Sequence, residues 1–385
     1  MKKVLSLDWV NQFRCIGGEC PLTCCGGWNI ALKENEIEMY ENLQHPFREE
    51  ILKAVDAEEK CMKQSNGRCI LLTEDGWCRI VRECGEKYLS YTCTIFPRGT
   101  HTYGDTIEAY VEIVCPVVAG YLMKPEKIAF NLAELEEEAE EDVDYQLYDT
   151  LSLTRTFLIE LFQSYDWLYN TGKCYILLNV LNTVKELYQK GKLNKENVTS
   201  QLLPYSQERN CLEIFQVGEQ IASALELKAK RFYKIIMKLA ESENLEILLF
   251  YVRSVELCQN LNCWLKDAGQ LQADIQAFIP YFRDNYYCLV ENYFVYVLFQ
   301  GWIPKNLRME KFGEKINMKI VEFGLIQLCA MSVWKQHGEI TEKEYGVIIA
   351  GIERMLAHSQ QIATEFMSLL EEEDSVAKIL LLLLC

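Results

Sequence analysis

The stretch Phe13-Arg-Cys-Ile-Gly-Gly-Glu-Cys-Pro-Leu-Thr-Cys-Cys-Gly-Gly-Trp28 sets Cys15, Cys20, Cys24 and Cys25 among four glycines. Single thiols follow in Gly67-Arg-Cys-Ile-Leu-Leu72, Gly76-Trp-Cys-Arg-Ile-Val81, Tyr91-Thr-Cys-Thr-Ile-Phe-Pro-Arg98 and Ile113-Val-Cys-Pro116. With Cys61 and Cys84, the first 115 residues hold ten of the chain's 17 cysteines. Thiols that serve only as small packing groups do not bunch in this way. Bunched thiols beside glycine point to sulfurs converging on a soft metal, because tight turns let several backbones approach one point.

Working outward, the chain is long enough for two domains. Half of its residues are apolar and a quarter are charged, which is the composition of a globular protein with an ample core. A net charge of −17 argues against nucleic acid as a partner, since that binding needs a positive footprint. The start, Met1-Lys-Lys-Val-Leu-Ser-Leu-Asp8, is not an export signal, and no transmembrane segment is expected, because no apolar run approaches membrane length. Ile379 to Cys385 is apolar but too short to cross. A cytoplasmic location is therefore expected, where thiols stay reduced and favour metal over disulfides.

Residues 1–125 read as an α+β Cys-rich metal-binding head. Glu34 to Leu43 has helical spacing ended by His45-Pro46. Cys69 to Leu72 and Trp77 to Val81, joined across Asp75-Gly76, suggest a hairpin, and Thr106 to Cys115 suggests a strand. Lys124-Pro125 marks a boundary, after which Glu134 to Asp144 carries eight acidic residues in eleven. That run suits a solvated face or linker.

Residues 126–385 read as an all-α helical bundle, so the whole chain is expected to be predominantly α. Leu151–Tyr169, Cys174–Tyr188, Glu213–Leu239, Leu245–Leu261 and Asn317–Lys335 all space apolar residues by three and four. Thr341-Glu-Lys-Glu344 fits a capping box that opens the last long helix. Tyr286 to Pro304 is apolar nearly all round and is expected to be central and buried. Glu291, Asn292 and Gln300 interrupt it. Such residues either tie neighbouring helices together or line a cavity between them.

The head contains no CxxC pair, so the pattern is not a zinc ribbon. Adjacent cysteines project differently, so Cys24 and Cys25 suit two sites better than one tetrahedral ion. Cys15, Cys20, Cys24, Cys25, Cys69, Cys78, Cys93 and Cys115 make two four-thiol sets, or one set with spectators. Zinc and a 4Fe–4S cluster both fit four-Cys ligation. Cys61 and Cys84 are set aside as packing residues. No glycine-rich dinucleotide loop, P-loop, or C-x3-C-x2-C of the usual radical S-adenosylmethionine type is present.

At this point the residues match a known pattern. The chain resembles the flagellin lysine N-methylases, relatives of the putative zinc- or iron-chelating Cys-cluster proteins. The resemblance rests on Phe13-x-Cys15-x4-Cys20-x3-Cys24-Cys25-x2-Trp28-x-Ile30, and on the run from Cys69 through Gly76-x-Cys78 and Gly85-Glu86 to Cys93-x3-Pro97-Arg98. Cys115-Pro116, Glu291-Asn-Tyr-Phe-Val-Tyr296 and Arg354-x3-His358-Ser359 extend it over nearly the full length. Cys84, Phe96 and Val117 depart from the family's usual residues. The resemblance implies methyl transfer from S-adenosylmethionine to lysine amines of flagellin, with an iron–sulfur cluster held by the eight cysteines named above.

A lysine amine, with a pKa of about 10.4, must lose its proton before it can attack a methyl group. Glu291 is the carboxylate assigned to that task. Tyr293 and Tyr296 are the aromatic faces assigned to the donor sulfonium or the lysine cation. A non-catalytic metal-binding or redox-sensing protein with the same Cys cluster is the competing reading.

Overall fold

The computed structural model describes residues 2–136, 143–240, 255–358 and Thr364. The apolar tail from Ile379, most of the acidic run and the first part of the Leu245–Leu261 helix therefore lie outside the described residues, as does Ser359.

A four-stranded sheet opens the fold. Its order is Arg98–Tyr103, Thr106–Val111, Lys2–Leu7, Phe130–Leu135. The first pair is a hairpin closed by Gly104 at φ 61° and Asp105, with Tyr103 opposite Thr106. Lys2–Leu7 runs parallel to Thr106–Val111 and antiparallel to Phe130–Leu135. The sheet thus takes its fourth strand from beyond Lys124-Pro125. The expected strand at 106–115 ends at Val111, and Cys115 instead caps a short helix, Pro116–Tyr121.

Between the first strand and the hairpin sits the Cys-rich insert, with its own small core of Ile30, Leu32, Tyr40, Leu43, Ile51, Met62, Leu71 and Ile80. The Glu34–Glu41 helix forms as expected. Glu36 accepts from the Lys33 amide at 2.7 Å and also from the Tyr91 amide, so one buried carboxylate joins two helix starts. The expected hairpin at 69–81 is different. Its turn exists, with Gly76 at φ 81° and the Thr73 amide 2.9 Å from the Trp77 carbonyl, but pairing stops at a single Leu72–Cys78 bridge. Arg79–Cys84 is helical, because Ile80 turns into the small core rather than continuing along a strand.

The remainder is helical, so the expectation of a predominantly α chain holds. Tyr145–Ser164, Asn170–Gln189 and Glu314–His337 match their sequence periodicities. The expected Glu213–Leu239 helix is two helices, Leu212–Ser223 and Leu225–Ala240, broken at Ala224. The central helix is longer than its apolar segment, Ala268–Gly301, with a kink at Tyr286 and Pro280 inside it. Thr341 and Glu344 form the capping box, amide to carboxylate at 2.8 Å and amide to hydroxyl at 3.2 Å. The span Met309–His337 is long and apolar enough to cross a membrane by length and composition, which exceeds the sequence expectation, and 89% of its most apolar window is buried inside the fold.

One continuous apolar core joins sheet and helices. Arg155 reaches through it to Glu108 of the sheet with contacts of 2.7 and 2.5 Å, and both side chains are buried. Tyr148 donates to the same carboxylate at 2.9 Å. A buried charge needs this kind of partner, and the pair holds the sheet to the helical body.

Candidate active site at the junction of head and helices

The Glu342–His358 helix crosses the short Pro116–Tyr121 helix closely. A side chain at Gly346 would put its Cβ 2.8 Å from the Pro116 carbonyl oxygen, so glycine is needed there. This close seat brings Arg354 onto the Cys loop. Its guanidinium donates to the carbonyls of Leu22 (3.0 Å), Thr23 (2.8 Å) and Val114 (2.9 Å). A residue near the end of the described chain thereby fixes the loop that carries Cys20, Cys24 and Cys25.

That loop is fixed from its other side as well. The Cys69 amide donates to the Cys25 carbonyl at 2.7 Å, and the Gly27 amide to the Gly67 carbonyl at 2.9 Å. A Cβ at Gly26 would lie 2.3 Å from that Gly67 oxygen, which explains the glycine. The thiols of Cys25, Cys69, Cys78 and Cys93 form one group in which each is in electrostatic reach of the other three. Burial raises the Cys93 thiol to about 12 and Cys69 to about 11, so neither is a thiolate without a cation. Cys15, Cys20, Cys24 and Cys115 make a looser second group, in which Cys20 senses Cys15, Cys24 senses Cys15, and Cys115 senses Cys20. A hydrogen bond between the adjacent Cys24 and Cys25 thiols lowers Cys25 and raises Cys24. Among the described residues, no three His, Cys, Asp or Glu side chains stand close enough to grip a metal ion as they lie.

Cys24 faces a cavity of about 300 Å³. Trp28, Phe96, Val114 and Ala357 give it an apolar wall, and Glu112, Gln300, Lys315 and Glu353 give it a polar one. Trp28 is held by its indole N–H donating to the Cys24 carbonyl at 2.6 Å, and it packs on Phe96 with ring centres 5.6 Å apart. Gln300 donates to Glu112 at 2.7 Å, and the Tyr296 hydroxyl lies 3.4 Å from the same oxygen. The other amide atom of Gln300, Oε1, is buried and has no hydrogen-bond partner. Burial, assisted by Glu353, pushes the Glu112 carboxyl above the usual range.

Behind this wall Lys319 bonds Glu322 at 2.8 Å and also bonds Glu353. Burial raises Glu322 well above an ordinary carboxylate, and Glu353 adds to the effect. Glu353 moves the other way. Burial is the largest single influence and opposes its ionisation, but Lys319, the hydrogen bond with Glu322 and Lys315 together hold it low. Two carboxyls of opposite protonation preference therefore stand near one cavity, the usual signature of a proton-handling site.

The tyrosines and the glutamate expected to act are placed differently from one another. Tyr296 touches Glu112 and is part of the cavity's support. Tyr293 is wholly buried, with its hydroxyl donating to the Lys319 carbonyl at 3.1 Å. Glu291 lies in a 2.6 Å ion pair with buried Lys173 and is not on the cavity wall. Asn292 donates to the carbonyls of Leu122, Lys124 and Glu126, closing the end of the Pro116–Tyr121 helix. Glu112, Lys315, Lys319, Glu322 and Glu353 were not singled out from the sequence. The available signal was the Lys319–Glu322 pair, two charges three residues apart within the buried, mostly apolar middle of a helix.

The family described as FliB lysine N-methylase C-terminal domain matches residues 155–382. The flagellar biosynthetic protein FliU of Salmonella muenchen is 29% identical over 144 residues, covering 32% of this chain and 79% of the relative. A lysine-N-methylase of Salmonella typhimurium LT2 is 27% identical over 137 residues, covering 32% of this chain and 33% of the relative. The chain thus spans about a third of the length of that relative. No solved structure matches. With most of its helical body under that match, the chain belongs to the FliB lysine N-methylase family.

Proposed function

We propose that the chain transfers a methyl group from S-adenosylmethionine to lysine side chains of flagellin, and that the cavity beside Cys24 is where the transfer occurs. The observation that carries this reading is Glu112. It is the carboxyl on the cavity wall whose affinity for a proton is raised, and its position is set by Gln300 and Tyr296. A base for a lysine ammonium works best with a pKa closer to neutrality than an ordinary carboxylate has. The apolar wall of Trp28, Phe96, Val114 and Ala357 suits the aliphatic stem of the incoming lysine. The unpartnered Gln300 Oε1 suits one N–H of that amine.

An iron–sulfur cluster is the group the Cys head is proposed to hold, with zinc as the alternative. The donor chemistry fits. Cys25, Cys69, Cys78 and Cys93 are soft ligands in electrostatic reach of one another, and burial makes the thiols of Cys69, Cys78 and Cys93 difficult to ionise unless a cation compensates. Cys15, Cys20, Cys24 and Cys115 are a second donor group on the cavity side. A cluster bound to the first group would supply structural closure of the insert and a redox-active charge behind the cavity.

Anaerobic purification with iron, sulfide and zinc analysis, followed by mass spectrometry of flagellin incubated with and without S-adenosylmethionine, tests both halves. Donor-dependent methyl-lysine on flagellin is expected. Flagellin left unmodified by metal-replete protein overturns the reading.

A further inference from the structure

Lys315 stands on the polar wall of the cavity, in the first turn of the Glu314–His337 helix. Its stem runs over Gly301 of the central helix. A Cβ at Gly301 would lie 2.8 Å from Lys315 Cδ, so glycine leaves a lane for this side chain. The residue is solvent-exposed even though protein crowds around its tip, as expected for a group facing an open cavity. Two of the buried lysines are ion-paired. Lys319 holds Glu322 and Glu353, and Lys173 holds Glu291. Among the described residues Lys315 makes no ion pair, and its amine senses Lys319, Glu112, Glu353 and Glu322 only at longer range. The protein crowded around its tip, assisted by Lys319, lowers its pKa and so enlarges the neutral, nucleophilic fraction. His101, which senses this amine, is itself pushed toward neutrality by burial and then by Lys315.

We infer that Lys315 is itself a methyl acceptor, an internal substrate that occupies the cavity when no flagellin lysine does. This rests on the reading of the cavity as the transfer site. In the step, the neutral Lys315 Nζ attacks the donor's methyl carbon. A nitrogen–carbon bond forms, the sulfur–carbon bond breaks, and the sulfonium leaves as a neutral thioether with the electron pair. The proton released by the amine passes to the Glu112 carboxylate, and no oxidant or reductant is consumed. The methylated amine is left neutral, takes up a proton again from solvent, and gains bulk at the cavity wall, so flagellin and Lys315 compete for the same donor.

Two measurements on the full-length, metal-replete protein test this. In the first, the protein is incubated with S-adenosylmethionine alone, with flagellin alone, and with both, and all peptides are mapped by mass spectrometry. The peptide containing Lys315 is expected to gain one methyl mass with donor alone, and less when flagellin is present. Flagellin methylated while Lys315 stays unmodified overturns this inference and leaves the reading of the cavity standing. Neither protein methylated overturns that reading. In the second, brief reductive methylation with formaldehyde at neutral pH needs no bound donor. Lys315 is expected to label ahead of the ion-paired surface lysines Lys190 and Lys230. Slower labelling at Lys315 than at those two overturns the claim that its amine is free and nucleophilic.

Discussion

Gln300 of the central helix holds Glu112 of the head at 2.7 Å, so the cavity's carboxyl is oriented by the helical body. If Glu112 accepts the acceptor amine's proton, Glu112→Gln is expected to lower kcat/KM by roughly a hundred- to ten-thousand-fold. The variant should fold normally, since it removes a charge that burial disfavours. Steady-state kinetics on flagellin beside a urea melt separates the two effects.

The same carboxyl sets a pH dependence. Burial raises its pKa in the folded chain, so it favours folding below the ordinary carboxylate range, and that contribution is lost as pH rises through the raised value. Activity needs the ionised form. The acid limb of kcat/KM is therefore expected above the usual range of a glutamate, and Glu112→Gln should flatten it. A pH–rate profile for both proteins checks this.

Among the thiols, Cys25, Cys69, Cys78 and Cys93 form the complete mutual set, whereas Cys61 senses only Asp56 and Glu59. Cys25→Ser is expected to lose most of the bound iron or zinc, and Cys61→Ser none. Metal analysis after identical anaerobic reconstitution decides it.

Arg354 is the strap between the last described helix and the Cys loop. Arg354→Lys keeps the charge but cannot reach three carbonyls with one ammonium. A loss of about 1–3 kcal/mol is expected, as for buried acceptors left unmade. Limited proteolysis should show faster cleavage near Leu22 before any cleavage of the helical body.

Glu108→Ala strands the Arg155 guanidinium in the core. The expected cost is about 3–5 kcal/mol, measurable by urea denaturation. Replacing both residues with apolar side chains of similar volume should recover much of it.

Much of this molecule was legible in its sequence. Helical spacing located the body because burial of one helical stripe repeats locally, and the Thr341 box worked because a cap closes within four residues. Gly26 and Cys25 announced a tight crossing of loops. The hairpin at 69–81 was misread because Ile80, an ordinary strand residue, found its core on a helix instead.

The order of residues by itself determined a helical body, a Cys-rich insert and a family. Only the folded chain decided which acids meet. Glu112, Gln300 and Glu353 come from a strand end and two helices far apart in the chain, and no local pattern encodes their approach. Glu291, the base expected from the sequence, sits off the cavity wall in an ion pair with Lys173, 118 residues away. Local periodicity records what each segment buries, whereas proton chemistry depends on which charges burial brings together.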